Sequence, residues 1–390
     1  MKQHWTIKDE SLKINQMPFY WRLNGSADVV SDILPRLPIT VKKDKKFDYL
    51  RYEVSDQEWS VIDAAYKKNA NIGFLNVESG QLDTYGSSVN NFFLGAVNRF
   101  SPRSIYEIGC GAGHSIQHLK QNGWEATGID PSEYSRLWSK KLGFRLISDF
   151  FNKDLLKTSV DFIYCNDVFE HVLNVDIFSK EVFDSLEDGG VFCIATTNST
   201  ESIAVGDVSM LEHQHVNMFT ELSIYQILTN AGFSSIEVNR GGYGNTFHVI
   251  AKKGRGSNDN TKESLQASAT CPGFFERARQ KITFFSNLYN HTSELHCYVP
   301  LRCMPYLASV GDYGDSYIYD SNVAWRGKYL DGYSKAIRSQ ADIITDPNAI
   351  FFIGSMTFFD AIQNTLMSKG ILERNIYSVT KIHRLHDIDN

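Results

Sequence analysis

The run Ser104-Ile105-Tyr106-Glu107-Ile108-Gly109-Cys110-Gly111-Ala112-Gly113-His114-Ser115 limits the fold of this chain more than any other stretch. A short apolar segment carrying an acidic residue is followed by glycines on alternate positions. A polar residue then opens an amphipathic pattern, so the run reads as strand, tight turn and helix N-terminus. Such a turn lets a ligand lie against bare backbone, because glycine has no Cβ to block the approach. The helix that follows offers unpaired N–H groups to an electron-rich ligand.

The spacing decides which ligand. A dinucleotide turn is GxGxxG/A, whose last small residue allows close helix–strand packing. Counting from Gly109 puts His114 in that place, and counting from Gly111 puts Ile116 there, so a nicotinamide oxidoreductase ranks last. The arrangement is ExGxGxG, and Asp130 follows Ala126-Thr127-Gly128-Ile129, which reads as the next strand. A carboxylate there suits two adjacent hydroxyls, although a plain strand-to-helix turn with Asp130 as a turn residue is the blander alternative. Together these residues resemble the first motif of class I S-adenosylmethionine (SAM)-dependent methyltransferases. The resemblance implies S-adenosyl-L-methionine as cofactor, with Glu107, Gly109, Gly111 and Gly113 at its methionine part and Asp130 on the ribose hydroxyls.

With 390 residues, two or three domains are expected. The 42% hydrophobic and 22% charged content is ordinary for a globular protein. A net charge of −6 leaves no electrostatic footprint for nucleic acid or an anionic membrane. The lysines at 42, 43, 45 and 46 read as a solvated loop. No apolar run is long enough for a membrane span, and Met1-Lys2-Gln3-His4-Trp5 lacks a secretory core, so a cytoplasmic protein is expected. The six cysteines never form CxxC, and most read as small buried hydrophobes.

The chain divides into an N-terminal cap module (1–80), a methyltransferase domain (81–253), a polar linker (254–273) and a C-terminal accessory domain (274–390). In the cap, Leu37-Pro38-Ile39-Thr40-Val41 reads as an edge strand. Ser88 is a candidate N-cap for the helical pattern Val89, Phe92, Phe93, Val97. From Arg103 apolar strands alternate with helices, which indicates an α/β parallel sheet covered on both faces. The runs 235–238 and 246–251 match the closing hairpin of the seven-stranded, doubly wound methyltransferase sheet. Beyond the linker, strands near 295–299, 317–320, 349–353 and 376–379 indicate a smaller Rossmann-like domain. Its first turn, Pro300-Leu301-Arg302-Cys303-Met304-Pro305, has no glycine to cradle a phosphate.

Methyl transfer from a sulfonium is an in-line displacement in which the nucleophile loses a proton, so reactants must be aligned and a base supplied. The stretch Leu211-Glu212-His213-Gln214-His215-Val216-Asn217-Met218-Phe219-Thr220 carries two histidines in a loop after the fifth strand, behind a flexible segment from Asn198 to Ser209. Either histidine titrates in the useful range, and the plainer reading makes one a packed and the other a solvated loop residue. Their alternation resembles half a metal site, but no third ligand stands at useful spacing, so no metal is expected. His213-Gln214-His215 with Phe219-Thr220 resembles the His-Glu-His segment ending in Phe-Ser of the sugar C-methyltransferases, as does Tyr85-Gly86-Ser87-Ser88 ahead of the cofactor loop. That resemblance implies His215 as the base, His213 as second choice, and a sugar or nucleotide-sugar as the small-molecule substrate. It also implies Asn166 in the cofactor pocket. Ser88 is placed at the cofactor carboxylate, with capping of its own helix as the alternative, and the wider family places Asp149 at the adenine amino group, with a helix-capping aspartate as the alternative. Two differences stand out: Gln214 replaces the family's glutamate, leaving Glu212 as the available carboxylate, and no cysteine precedes Cys110 where a zinc-binding module is usual. Glu170-His171 reads as a structural helix entry. A sugar O-methyltransferase, another O-methyltransferase of a small hydroxylated metabolite, and a non-catalytic methyltransferase-like binding protein are the alternatives.

Overall fold

Strands buried on both faces need apolar side chains throughout, and the centre of this chain supplies them. The computed structural model describes residues 4–19, 23–26, 34–67, 75–76, 81–82, 84–242, 245–254 and 273–380. Its largest sheet has seven strands, in the order Arg145–Ile147, Thr127–Ile129, Ile105–Ile108, Val160–Asn166, Leu186–Thr197, Thr246–Lys252, Ser235–Arg240. The first five run parallel, and Thr246–Lys252 is antiparallel to both neighbours. Phe162, Ile163, Tyr164 and Cys165 in the central strand are all fully buried. Alternate residues point to opposite faces: Phe162 and Tyr164 pack with Val89, Phe93 and Val97, while Ile163 and Cys165 pack with Val182, Ile224 and Leu228. Chain progression reverses beside Ile105–Ile108, where open α/β sheets leave a crevice at their carboxyl ends. That crevice brings the glycine turn next to Asn166.

The helix ahead of the sheet spans Thr84–Phe100, so Ser88 lies inside it and not at its N-cap. The expected flexible segment is also ordered: Thr200–Val205 is a helix packed on Phe274–His291. A Cβ on Gly206, which ends that helix at φ +72°, would stand 2.4 Å from Arg277. The close approach of the two helices therefore requires glycine there.

The N-terminal part forms an antiparallel sheet ordered Trp5–Lys8, Ser11–Pro18, Arg36–Lys43, Leu50–Tyr52. Its fifth strand is Asn217–Met218, contributed by the methyltransferase region. Arg36–Lys43 bonds strands on both sides and is no edge strand. Pro38 is tolerated because the register shifts between Ile14 and Met17, and it falls opposite that irregularity. The lysine run is only half a loop. Lys42 and Lys43 end the strand, and Lys42, Lys43 and Lys46 pair with Glu53, Asp48 and Asp176.

At the other end a five-stranded sheet runs Arg338–Ser339, Tyr317–Asp320, Leu295–Tyr298, Ile350–Ile353, Ile376–Ser378, and every pair is parallel. Arg338–Ser339 is too short to show in the sequence pattern. Helices Phe274–His291 and Pro300–Val310 cover one face, and Phe359–Ser368 the other. Among the described residues the cysteines are Cys110, Cys165, Cys193, Cys297 and Cys303, all free and buried. Cys271 and linker residues 255–272 lie outside the described residues.

Candidate active site

At the carboxyl end of Ile105–Ile108 all three loop glycines adopt left-handed backbone, with φ of +71°, +49° and +73° at Gly109, Gly111 and Gly113. A Cβ at Gly109 would lie 2.3 Å from Val168, and one at Gly113 would lie 2.3 Å from Phe144. Those two glycines serve packing. A Cβ at Gly111 would meet nothing within 4 Å, so this glycine is the part of the loop that faces open space. The loop is tied to the second strand by Gly109 N–H donating to Ile129 O (2.8 Å) and Gly111 N–H donating to Asp130 Oδ2 (2.9 Å). Asp130 Oδ1 accepts from Ser132 N–H at 2.9 Å. Each carboxylate oxygen offers about two acceptor directions, so capacity remains on both for a diol. A bare loop backed by a carboxylate with spare acceptors fits an adenosyl cofactor.

Glu107 points inward. It is 3% exposed and accepts a 3.1 Å hydrogen bond from Tyr164 Oη. Burial pushes its pKa up to about 8, with the Tyr164 bond opposing and Asp130 adding to the rise. Asp149 is exposed and accepts from Phe150 N–H at 2.8 Å, and the Phe150 ring beside it is 45% exposed. Asn166 accepts from Tyr85 Oη at 3.4 Å and donates to Asp167 Oδ2 at 3.3 Å. Tyr85 also donates to Asp167 Oδ1 at 2.6 Å. Asp167 has φ +49°, and burial together with Glu170 brings its pKa up to about 7. Ser88 is half-buried on the Thr84–Phe100 helix, and a Cβ at Gly242 would come within 3.3 Å of its Oγ.

The two histidines of the loop part company. His213 is 2% exposed, with Nε2 3.1 Å from Leu37 O and its ring edge-on to Phe19 and Tyr52. Burial holds its pKa down at about 4. His215 turns the other way, and its Nε2 lies 2.6 Å from Glu212 Oε1, with side chains only 17% and 21% exposed. Glu212 thus stands where Gln214 leaves the carboxylate position unfilled. Burial works against both charges, yet His215 carries Glu212 down to about 2 while Glu212 and Glu170 raise His215.

Residues read as structural in the sequence also stand here. Phe169–His171 is a 3-10 turn directly after the fourth strand, and the His171 ring centroid is 5.0 Å from that of His215. His171 Nδ1 lies 2.7 Å from Gln214 O and 2.9 Å from Tyr66 Oη. A carbonyl only accepts, so Nδ1 carries the hydrogen and Nε2 the lone pair. Burial and the neighbouring His215 hold His171 at about 4. Glu170 is fully buried; Oε2 accepts from Thr196 Oγ1 at 2.8 Å and Oε1 has no hydrogen-bond partner. One ligand atom from each of Glu170, His171 and His215 falls within 4.8 Å of the other two. The Glu-His pair is visible in the sequence, but nothing there links it to a histidine so much further along, and Tyr66 of the N-terminal part carries no signal.

Residues 85–238 match the family described as "Methyltransferase domain". The ubiquinone biosynthesis O-methyltransferase of Rickettsia prowazekii is 24% identical over 204 residues, covering 45% of this chain and 78% of that protein. Its namesake in Pelagibacter ubique is 32% identical over 104 residues, covering 25% and 42%. Among solved structures, human N-acetylserotonin methyltransferase in complex with SAM aligns with a TM-score of 0.37 at 15% identity, covering 43% of this chain and 52% of that one. The glycine turn, the sheet order around it and the family match agree: the chain is a SAM-dependent methyltransferase with a class I methyltransferase domain.

Proposed function

We propose that this chain transfers the SAM methyl group to a sugar, carried on a nucleotide or destined for a surface glycan, and that the acceptor loses its proton at the Glu212–His215 pair. The observation that carries the reading is the 2.6 Å contact between these side chains, half-buried beside the carboxyl end of the methyltransferase sheet. A histidine oriented by a carboxylate is a recurrent arrangement for proton transfer. Gly111 lies against the methionine part, in a turn whose shape Gly109 and Gly113 set by their packing and with Glu107 beneath it, and Asp130 takes the ribose hydroxyls. Asp149, with Phe150, meets the adenine. Asn166 and Ser88 close the pocket on the side of Tyr85. The cofactor supplies an electrophilic methyl group, and the protein positions it and excludes water. His213 keeps to packing in this reading, since its ring is spent on the N-terminal sheet.

Oxygen as the methylated atom is favoured by one observation, the sequence similarity of this chain to ubiquinone biosynthesis O-methyltransferases. A mass-resolved screen of nucleotide-sugars, free sugars and polyhydroxylated aromatics separates the acceptors. A gain of one methyl on a sugar supports the proposal, and transfer confined to aromatic hydroxyls overturns it. With the acceptor in hand, His215→Ala is expected to lower kcat by about 100-fold or more with SAM affinity retained. Full activity would remove His215 from the reaction.

A further inference from the structure

The side chains of Glu170, His171 and His215 are arranged for more than hydrogen bonding. They come from two loops, at the ends of the fourth and fifth parallel strands, and bring two imidazoles and a carboxylate to one point. Each imidazole has one nitrogen already committed. His171 donates Nδ1–H to the Gln214 carbonyl, with Tyr66 alongside, and the His215 Nε2 side is held by Glu212. The nitrogens left over are Nε2 of His171 and Nδ1 of His215. Carbonyl and carboxylate acceptors on the outer nitrogen are what fix and enrich histidines that bind metal. The third group completes the pattern: Glu170 is fully buried, Thr196 satisfies one oxygen, and the other has no partner. An unpartnered carboxylate oxygen in the interior is costly.

From this juxtaposition we propose that Glu170, His171 and His215 bind a divalent cation of the zinc class, with an open coordination position that takes an oxygen of the acceptor. Two histidines and one glutamate are a donor set of catalytic zinc, which keeps a fourth position for water or substrate. Ligands on a tetrahedral ion at about 2.1 Å stand about 3.4 Å from each other. The 4.8 Å limit on the present separations therefore leaves a short closing movement for the side chains. The inference rests on the proposed acceptor site and refines its chemistry: with His215 as a ligand, the ion-bound acceptor oxygen gives its proton to a water molecule rather than to the imidazole as the bond to the SAM methyl group forms, and Glu212 is a positioning residue. Substrates with two neighbouring oxygens, such as a vicinal diol or a hydroxyketone, fit such an ion best.

The test uses the full chain, stripped with a chelator and titrated with Co2+. One equivalent is expected to bind and to give visible d–d absorption of a four- or five-coordinate ion, with Zn2+ displacing it. Glu170→Gln and His171→Ala should each weaken Co2+ binding at least tenfold while SAM affinity, read by calorimetry, stays unchanged as evidence of folding. Glu212→Gln should weaken it by about tenfold, in the range seen for second-layer partners. Glu170→Gln keeps the shape of the side chain and stands in should His171→Ala fail to fold. No stoichiometric uptake by the stripped chain, or uptake unaltered by Glu170→Gln, overturns the site. Methyl transfer at full rate without metal also overturns it and leaves the sugar methyltransferase reading intact.

Discussion

Asp130 holds two backbone N–H groups with its two oxygens, one of them from Gly111 in the cofactor loop. Removing the carboxylate strips the proposed ribose site and also leaves both donors unpaired. Asp130→Ala should therefore weaken SAM binding by roughly 10- to 100-fold, about 1.5–3 kcal/mol for charge-assisted bonds. Calorimetry reads this directly, and unchanged affinity would remove Asp130 from the ribose role. Glu107, on the strand that leads into the glycine turn, behaves differently because it is sealed in the sheet. Folded, it keeps its proton up to about 8, whereas the ordinary value is 4.5. Between those values the native state binds the extra proton, so this residue makes stability fall as pH rises through the window. Glu107→Gln should flatten that dependence, by up to about 1.4 kcal/mol per pH unit. Equal slopes in urea titrations of both proteins from about pH 5 to 8 would mean that Glu107 is ionised in the fold.

At the scale of the element, the glycine turn divides its labour between packing and ligand approach. Gly113→Ala forces a methyl group to within 2.3 Å of the Phe144 ring, at φ +73°. It should lower the thermal midpoint as overpacking does, by about 1–3 kcal/mol in stability. Gly111→Ala meets no atom within 4 Å and carries only the strain of φ +49°, about 1 kcal/mol. It should fold nearly normally and lose SAM affinity instead. Matched thermal scans and calorimetry on the two variants check the division, and equal losses of stability would contradict it. This turn is legible in the sequence because its spacing is local and its chemistry is glycine's. The central strands are legible too, since Phe162 to Cys165 and Val191 to Ala195 are apolar without alternation. Contacts between distant elements are not. Ser88 reads as a cap because the helix begins earlier, in Thr84-Tyr85, without an apolar signal. Leu37 to Val41 reads as an edge strand because proline usually marks one, and only the register shift across from Pro38 shows why it does not. His171 and His215 meet through the fold alone.

Three large sheets organise the described residues, and the segment between Asp207 and Met218 is where they meet. Tyr306, from the C-terminal sheet's helix, donates to Asp207 Oδ1 at 3.0 Å. Tyr52 N–H, in the N-terminal sheet, donates to Val216 O at 2.8 Å, and Asn217–Met218 then pairs with Leu50 and Arg51 as that sheet's last strand. Asn217 Nδ2 donates to Val172 O at 2.7 Å, which fixes the segment to the turn that holds Glu170 and His171. A loop held on three sides needs little further ordering when the acceptor arrives, and preorganisation of this kind is what positions reacting groups. His213 is the pin on the N-terminal side, buried against Phe19 and Tyr52 and bonded to Leu37 O. Its replacement therefore tests whether the N-terminal sheet supports catalysis from a distance. His213→Ala removes two edge-on ring contacts and strands a buried carbonyl, a loss of about 2–3 kcal/mol in stability. SAM affinity should not change, because the glycine turn is anchored to Ile129 and Asp130 rather than to this segment. Turnover should fall through kcat, about tenfold, as His215 loses its fixed position. A variant with wild-type kcat and only a lowered thermal midpoint would reduce the N-terminal sheet to a stabilising cover, while a variant that loses SAM binding would mean that the segment also shapes the cofactor pocket.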